Sequence, residues 1–264
     1  TMNWAKLTNR GYELSLSTVN VKTKDFRWVM DFNLAHNKSK INRLNVRDNS
    51  YEPSREGYSV GAVFSLKTAG LDENGLQMFY NKQGEKVSFN DFFGLEYGYM
   101  MGGLIPFLKS NLSAEEYRNL FTYEGTTEPK FTGGWINRFY YKNFDLTVSA
   151  SFVLDQTVHE QPFYNPVQTS PGQNYSRRMS QIWSPDNTSG KYPRIMGTYT
   201  EGEENWAYQW LGMLDPGNSY RKYDYWFKKM SYMRINSIRL GYTFPERLLG
   251  HIGFSSARIS FEAR

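Results

Sequence analysis

The stretch FRWVMDFNLA, residues 26–35, alternates apolar and polar side chains with a period of two. One parity is large and apolar throughout: Phe26, Trp28, Met30, Phe32 and Leu34. The other parity is mainly polar, with Arg27, Asp31 and Asn33. Because successive side chains of a strand point to opposite faces, this pattern predicts a β-strand with one apolar and one polar face.

The segment before it, residues 12–18, has the same alternation, with Tyr12, Leu14 and Leu16 on one parity and Glu13, Ser15 and Ser17 on the other. The polar turn VKTKD, residues 21–25, separates the two runs. The pair therefore predicts an antiparallel hairpin. Each run has about the ten residues that a tilted strand needs to cross a bilayer.

Two more hairpins are predicted further along the chain. The stretch FTGGWINRFYYKNFDLTVSASFVL, residues 131–154, alternates on both sides of a short turn near Lys142 and Asn143. The last pair uses residues 237–244 and 257–262. The apolar parity slips between Ile235 and Ile238, which predicts a β-bulge near Asn236.

We expect the apolar parity to face lipid and the polar parity to face a hydrated lumen. The residues assigned to lipid are Leu14, Leu16, Trp28, Met30, Phe32, Leu146, Val148 and Leu240.

Composition restricts the class of protein. The net charge of +5 is spread along the 264 residues and does not by itself indicate a nucleic-acid partner. The absence of cysteine excludes disulfide scaffolds, cysteine-ligated metal centres and thiol catalysis. The mean hydropathy of -0.65 and the lack of long apolar runs argue against a helical membrane protein. A β-barrel escapes this test, because only every second residue of a strand contacts lipid.

The connections between the predicted strands alternate in length. Residues 37–130 and 155–222 are long, rich in Gly, Pro, Asn, Ser and Tyr, and predicted to be irregular, with one short helix capped by Ser113 and Glu116. Outer-membrane barrels have this rhythm, with short periplasmic turns and long extracellular loops. Closed barrels start at about eight strands, so six strands predict a segment of a larger barrel.

Five stretches resemble the SusC/RagA family of TonB-dependent outer-membrane transporters, in the order of the family. They are residues 9–41, 57–85, 128–152, 183–195 and the stretch YRKYDYWFKKMSYMRINSIRLGYTFP, residues 220–245. The resemblance implies an all-β fold, an antiparallel transmembrane segment of a 22-stranded barrel. It also implies that residues 1–264 form a C-terminal part without the plug domain and the last strands.

The same resemblance implies a function. It is the import of oligosaccharides or peptides across the bacterial outer membrane, driven by the TonB complex, with a SusD-like surface lipoprotein on the outer loops. No enzymatic activity and no cofactor are implied. The residues alone leave two alternatives open, a soluble β-rich glycan-binding module and a glycoside hydrolase.

The second long segment is dense in aromatic residues. Flat rings stack on sugar or peptide faces, and they also pack inside folded loops. We expect packing for most of them and contact with cargo for a few. The ligand-binding candidates are Trp183, Tyr192, Trp206, Tyr208 and Trp210.

Residues 220–245 combine aromatic and basic side chains on both parities. We interpret them as an aromatic girdle at the membrane–water boundary rather than as a nucleic-acid surface. His36, His159 and His251 have no metal-ligand or triad spacing, so no metal site and no catalytic residue are predicted. The segment LDENG, residues 71–75, is predicted to be a turn rather than a calcium loop.

Overall fold

The computed structural model describes residues 5–45, 52–100, 105–166, 172–195, 219–250 and 253–264. The strands are β1 (Ala5–Lys22), β2 (Phe26–Leu44), β3 (Ala62–Leu66), β4 (Thr68–Leu71), β5 (Gln77–Tyr80), β6 (Lys86–Val87), β7 (Leu95–Met100), β8 (Ile105–Ser110), β9 (Phe121–Thr126), β10 (Phe131–Tyr141), β11 (Phe144–His159), β12 (Phe227–Thr243) and β13 (Arg258–Ala263). The short α-helices are α1 (Phe89–Phe92), α2 (Ala114–Arg118) and α3 (Glu246–Leu249), and 3-10 turns span Arg177–Gln181, Ser219–Lys222 and Asp224–Trp226. None of the helices within these ranges has the length and apolar character needed to cross a membrane.

The long strands form one six-stranded antiparallel sheet in the order β1-β2-β10-β11-β12-β13. The three hairpins predicted from the alternation, β1-β2, β10-β11 and β12-β13, are therefore confirmed. The two long connections join strands that are neighbours in the sheet, β2 to β10 and β11 to β12. Both long segments consequently emerge at the same end of the sheet.

The bulge predicted near Asn236 is present. Ser149 pairs with Ser237 and Ala150 pairs with Ile235, so Asn236 is the extra residue of β12. A bulge shifts the parity by one position. This shift keeps both Ile235 and Ile238 on the apolar face.

The first hairpin is longer than predicted, because β1 and β2 continue past the alternating region to Ala5 and Leu44. On one face of this extension, Ser39 and Ile41 are buried. The segment around Tyr58 covers them, since the Ile41 amide donates to the Tyr58 carbonyl at 2.8 Å. The alternation of apolar and polar residues stops in this extension. One of its faces is covered by protein, and the other carries charges.

The expectation that residues 37–130 are irregular was wrong. Three small antiparallel sheets form there: β3 with β9, β4-β5-β6, and β7 with β8. The two detailed predictions within this segment are confirmed. Ser113 and Glu116 form the capping box of α2, and the Asp72 carboxylate accepts hydrogen bonds from the amides of Asn74 and Leu76, which closes a turn.

The two long segments share an aromatic core. Its buried members are Leu66, Phe79, Phe89, Phe92, Phe93, Tyr117, Tyr164, Ile182, Tyr220, Tyr223 and Trp226. Phe79 stacks on Phe92 with ring centroids 4.3 Å apart. Large rings supply most of the apolar area that such a small core buries.

This core corrects the girdle interpretation for the first part of residues 220–245. Tyr220, Tyr223 and Trp226 are buried, Trp226 completely, and the Trp226 indole donates to the Tyr220 carbonyl at 2.9 Å. These residues precede β12, so they pack against the loop segments instead of standing on the sheet. Only the residues from Phe227 onward belong to the strand.

Candidate functional site

The sheet has one apolar face that is continuous across its strands. Phe32 lies opposite Leu16 on one side and opposite Trp135 on the other, Trp135 lies opposite Ala150, and Ala150 lies opposite Ile235. Directly opposed residues of an antiparallel sheet share a face. The register places all the residues assigned to lipid on this face: Leu14, Leu16, Trp28, Met30, Phe32, Leu146, Val148 and Leu240. Their contact with lipid stays a prediction.

Side chains on the apolar face pack against each other across strands. Trp28 stacks on Phe139 at 5.7 Å, and Phe32 stacks on Phe152 at 6.2 Å. Asn137 is a polar residue on this face, opposite Met30. The Trp28 indole N–H donates to the Asn137 side-chain oxygen at 3.0 Å. This bond satisfies a polar group that lipid could not.

The opposite face carries charged and hydroxyl side chains. Arg138 of β10 forms an ion pair with Asp31 of β2, and the Ser17 hydroxyl donates to the same carboxylate at 2.7 Å. Arg258 of β13 contacts both carboxylate oxygens of Asp145 at 2.7–2.8 Å. Charges of both signs on one face require a hydrated environment, because hydrocarbon would not solvate them.

Aromatic rows limit the apolar face at both ends. At the loop end, the His36 ring lies 5.0 Å from Tyr12 and 5.2 Å from Phe131. At the end with the short turns, Phe144 lies 4.6 Å from Tyr242. Aromatic rings at both edges of an apolar band are typical of proteins that cross a bilayer with strands. Tyr242 belongs to residues 220–245, whereas Tyr12, His36, Phe131 and Phe144 lie outside that stretch. A position of these rows at the membrane–water boundary stays a prediction.

A cavity of about 800 Å³ lies at the loop end of the sheet, between the C-terminal parts of β2, β9 and β11. Its basic lining residues are Lys38, Lys40, Lys130 and Lys229, and its acidic lining residues are Glu124, Glu128 and Asp155. The Glu128 carboxylate accepts from the Ser39 hydroxyl at 2.7–2.9 Å, and Lys67 pairs with Glu124 at 2.5 Å. No local pattern in the sequence predicts this cavity, because its residues come from distant segments.

In the second long segment, Arg178 is surrounded by rings. Its guanidinium lies 4.6 Å from the Phe163 centroid, 5.6 Å from Tyr192 and 5.8 Å from Trp226. Cations over ring faces are attracted by the ring quadrupole. Arg178 also donates to the Tyr192 hydroxyl at 2.7 Å, and it forms an ion pair with Glu160.

Glu160 joins this segment to the sheet, because it also pairs with Lys228 of β12. The hydrogen bond from Lys228, with a further one from Arg178, holds the pKa of the Glu160 carboxyl below its usual value. Two cations on one carboxylate therefore fix the position where β11 ends and the second long segment begins.

The two described ligand-binding candidates have packing partners. Tyr192 stacks on Trp226 with ring centroids 5.4 Å apart. Trp183 lies against the turn at Gly75, where an added Cβ would overlap with its ring. Trp206, Tyr208 and Trp210 lie outside the described residues. A role of these five residues in cargo binding stays a prediction.

The histidines of the described ranges have structural partners. The His36 ring Nδ1 donates to the Lys130 carbonyl at 2.6 Å, and His159 Nε2 donates to the Arg221 carbonyl at 2.8 Å. His251 lies outside the described residues. In the part of the chain that the structure describes, no group of three or more His, Asp or Glu side chains is arranged to hold a metal ion.

Sequence comparison relates the chain to TonB-dependent receptors, although no known family profile matches it. Over 97% of its length it is 26% identical to TonB-dependent receptor P3 of Formosa agariphila, and over 99% it is 23% identical to TonB-dependent receptor P39 of the same organism. The chain spans about a quarter of the length of these relatives, 24% and 26%.

Comparison of folds finds solved structures with a matching architecture. The structure of the RagAB peptide transporter matches 98% of the chain with a TM-score of 0.65 and 18% sequence identity. A RagAB peptide importer in the closed-closed state also matches with a TM-score of 0.65. In both, the match covers 25% of the solved chain. The antiparallel fold predicted from the sequence is thereby confirmed, and the chain is similar in sequence to TonB-dependent receptors and in fold to part of the RagAB transporter.

Proposed function

We propose that this chain forms part of the barrel wall of an importer in the bacterial outer membrane. The observation that carries the proposal is the two-faced sheet, apolar across all six strands on one side and charged on the other. In this proposal residues 1–264 supply a C-terminal portion of a barrel of about 22 strands, the number that the family resemblance implies. The apolar face contacts lipid and the polar face lines the lumen.

The transported cargo is an oligosaccharide or a peptide, and the TonB complex supplies the energy through a part of the protein outside these residues. The names of the relatives, TonB-dependent receptors, support the energy source. The likeness to a peptide importer supports a peptide as one of the two cargo classes. The ion pairs of the polar face, such as Arg138 with Asp31, suit a water-filled path for polar cargo.

A SusD-like surface lipoprotein covers the outer loops in this proposal. The support is the family resemblance together with the shared aromatic core of the two long segments. This core holds the two segments together at the loop end of the sheet. In this proposal the half-buried Trp183 and Tyr192 contact the cargo beneath this lid, together with Trp206, Tyr208 and Trp210, which lie outside the described residues.

Uptake by the full-length protein tests the proposal. Cells that express it as their sole importer would receive two labelled panels, short peptides and oligosaccharides, with and without a functional TonB. We expect TonB-dependent accumulation of members of one panel. Accumulation that is unchanged without TonB, or no accumulation from either panel by protein correctly inserted in the outer membrane, would contradict the proposed import.

Co-purification tests the lid separately. Full-length protein extracted from native membranes in mild detergent should carry a second protein in about equal amount. Absence of a stoichiometric partner would remove the lipoprotein from the proposal and leave the transport claim standing.

A further inference from the structure

The apolar face becomes basic beyond its aromatic row. Arg10 and Lys38 lie opposite each other, two residues past the paired Tyr12 and His36. Further along the same two strands, Thr8 lies opposite Lys40, and Lys6 lies opposite Arg43 after a register shift. We call this set the basic ladder: Lys6, Arg10, Lys38, Lys40 and Arg43.

The charges of the basic ladder are not neutralised within the described ranges of this chain. None of its members forms an ion pair there. Glu13, the nearest acidic residue of β1, has the opposite parity and lies opposite Ala35. Like charges placed directly across a strand pair destabilise a sheet. An arrangement of this kind is favourable when an anion from outside the chain lies on it.

The position of the ladder indicates which anion. Two residues of a strand advance about 7 Å along its axis, or about 5 Å along the membrane normal at a 45° tilt. The headgroup layer on each side of the hydrocarbon core is about 5–8 Å thick. Arg10 and Lys38 are thus at headgroup depth if the aromatic row marks the edge of the hydrocarbon. Lys40 lies two residues beyond Lys38 on β2, and its flexible side chain reaches headgroup depth by bending back toward the hydrocarbon.

The 800 Å³ cavity adjoins the ladder and adds space for a headgroup. Lys38 and Lys40 line it together with Lys130. The Lys130 ammonium lies 5.8 Å from the Phe131 ring, which belongs to the aromatic row. Of the three acidic lining residues, Glu124 forms an ion pair with Lys67, and Glu128 accepts a hydrogen bond from the Ser39 hydroxyl. Four lysines thus line the cavity against three acidic residues, one of which is already paired with Lys67.

We propose that Arg10, Lys38 and Lys40, with Lys130 beside them, bind the phosphate groups of an anionic lipid headgroup in the outer leaflet. The inference rests on the proposed membrane location of the sheet. Arg offers a planar fork of donors to phosphate oxygens, and Lys contributes a mobile point charge. Each cation near an anionic surface adds a roughly equal increment to the binding.

The test uses the purified full-length protein in mild detergent and native mass spectrometry with added lipid A. Three probes are compared: phosphorylated lipid A, chemically dephosphorylated lipid A, and inorganic phosphate alone. The variant R10Q/K38Q/K40Q removes three charges from the ladder. Its matched control, K22Q/K24Q/K142Q, removes three charges at the opposite end of the sheet, one from the last residue of β1 and two from the short turns.

We expect the wild type and the control to bind phosphorylated lipid A at least tenfold more tightly than the dephosphorylated form. The ladder variant should lose about a hundredfold in affinity, since three cations are removed. Single K38R should retain binding, because it keeps the charge.

The other outcomes contradict the proposed binding of a lipid headgroup. Equal binding of both lipid A forms by the wild type overturns it without any variant, and so does competition by inorganic phosphate at millimolar concentration. Retained binding by a folded ladder variant overturns the residue assignment. Heat-modifiable gel mobility of the membrane fraction separates the two claims: protein that never enters the membrane contradicts the proposed function, whereas inserted protein without phosphate-dependent binding contradicts only the lipid site.

Discussion

Trp28 and Asn137 form a hydrogen bond, 3.0 Å long, on the face of the sheet that we assign to lipid. The donor is the indole N–H and the acceptor is the side-chain oxygen of the amide. In water such a bond contributes little, because solvent replaces either partner. In hydrocarbon neither group has another partner.

A double-mutant cycle follows from this pair. Trp28→Phe should destabilise the barrel by about 1–3 kcal/mol, because it leaves the Asn137 oxygen unpaired. Asn137→Leu should also be destabilising by about 1–3 kcal/mol, because it leaves the Trp28 indole N–H unpaired, and Trp28→Phe combined with Asn137→Leu should recover most of the loss. The measurement is the temperature at which the full-length protein loses its compact gel mobility. Strictly additive effects of the two substitutions would show that the face is hydrated.

Gly75 and Gly84 offer a matched pair in the first long segment. Both have positive φ, +75° and +80°, so alanine is strained at each. Only at Gly75 does a Cβ overlap with another segment, the ring of Trp183. Gly75→Ala should therefore speed amide exchange across residues 182–195, whereas Gly84→Ala should affect only its own turn. Equal effects of the two would mean that Trp183 does not dock on this turn.

The carboxylate of Glu160 makes the junction of β11 and the second long segment dependent on pH. Its folded pKa is lowered by Lys228 and Arg178, so the unfolded segment binds the proton more readily. The resulting stabilisation is complete above the ordinary pKa of 4.5 and is lost as the pH falls through the lower folded value. Amide-exchange protection of residues 172–195 should be level at neutral pH and fall below about pH 4.5.

Glu160→Gln is the control for this pH effect. It should lower protection at neutral pH and flatten the decrease in acid. A decrease of equal size in Glu160→Gln would assign the pH dependence to another group.

The orientation of the loops gives a further prediction. Gln83 and Thr188 are exposed in the two long segments, and Lys24 is exposed in a short turn at the opposite end of the sheet. Single cysteines at Gln83 and Thr188, in a chain that has none, should react with an impermeant maleimide on intact cells. A cysteine at Lys24 should react only after the cells are opened. The reverse pattern would invert the proposed topology.

The sequence predicted those features that depend on local order. Alternation over residues 26–35 predicted β2 and its two faces, and the slip between Ile235 and Ile238 predicted the bulge at Asn236. Spacing alone also predicted the capping box of Ser113 and Glu116.

Features that depend on distant partners were missed. Phe79 is buried against Phe92 and Tyr223, and Tyr223 is far from both in the chain. Nothing in the neighbourhood of Tyr223 distinguishes a ring in such a core from a ring at a membrane boundary. The contact of Arg178 with Trp226 and the cavity beside Lys38 depend in the same way on how the long segments fold back.

The central claim is that the apolar face of the sheet contacts the bilayer. An arginine scan along β2 tests it most directly, with single substitutions at Phe26, Trp28, Met30, Phe32 and Leu34 of the full-length protein. Assembly is scored by heat-modifiable mobility in outer-membrane fractions. Asn33→Arg is the matched control, because Asn33 lies opposite Ser15 and Gly134 on the polar face.

We predict a cost that is largest at Met30, about 2–4 kcal/mol, and smaller toward Phe26 and Leu34, because the penalty for a charge in lipid depends on depth. Asn33→Arg should assemble almost normally. A cost of equal size at all five positions, or assembly that needs no membrane, would contradict the account.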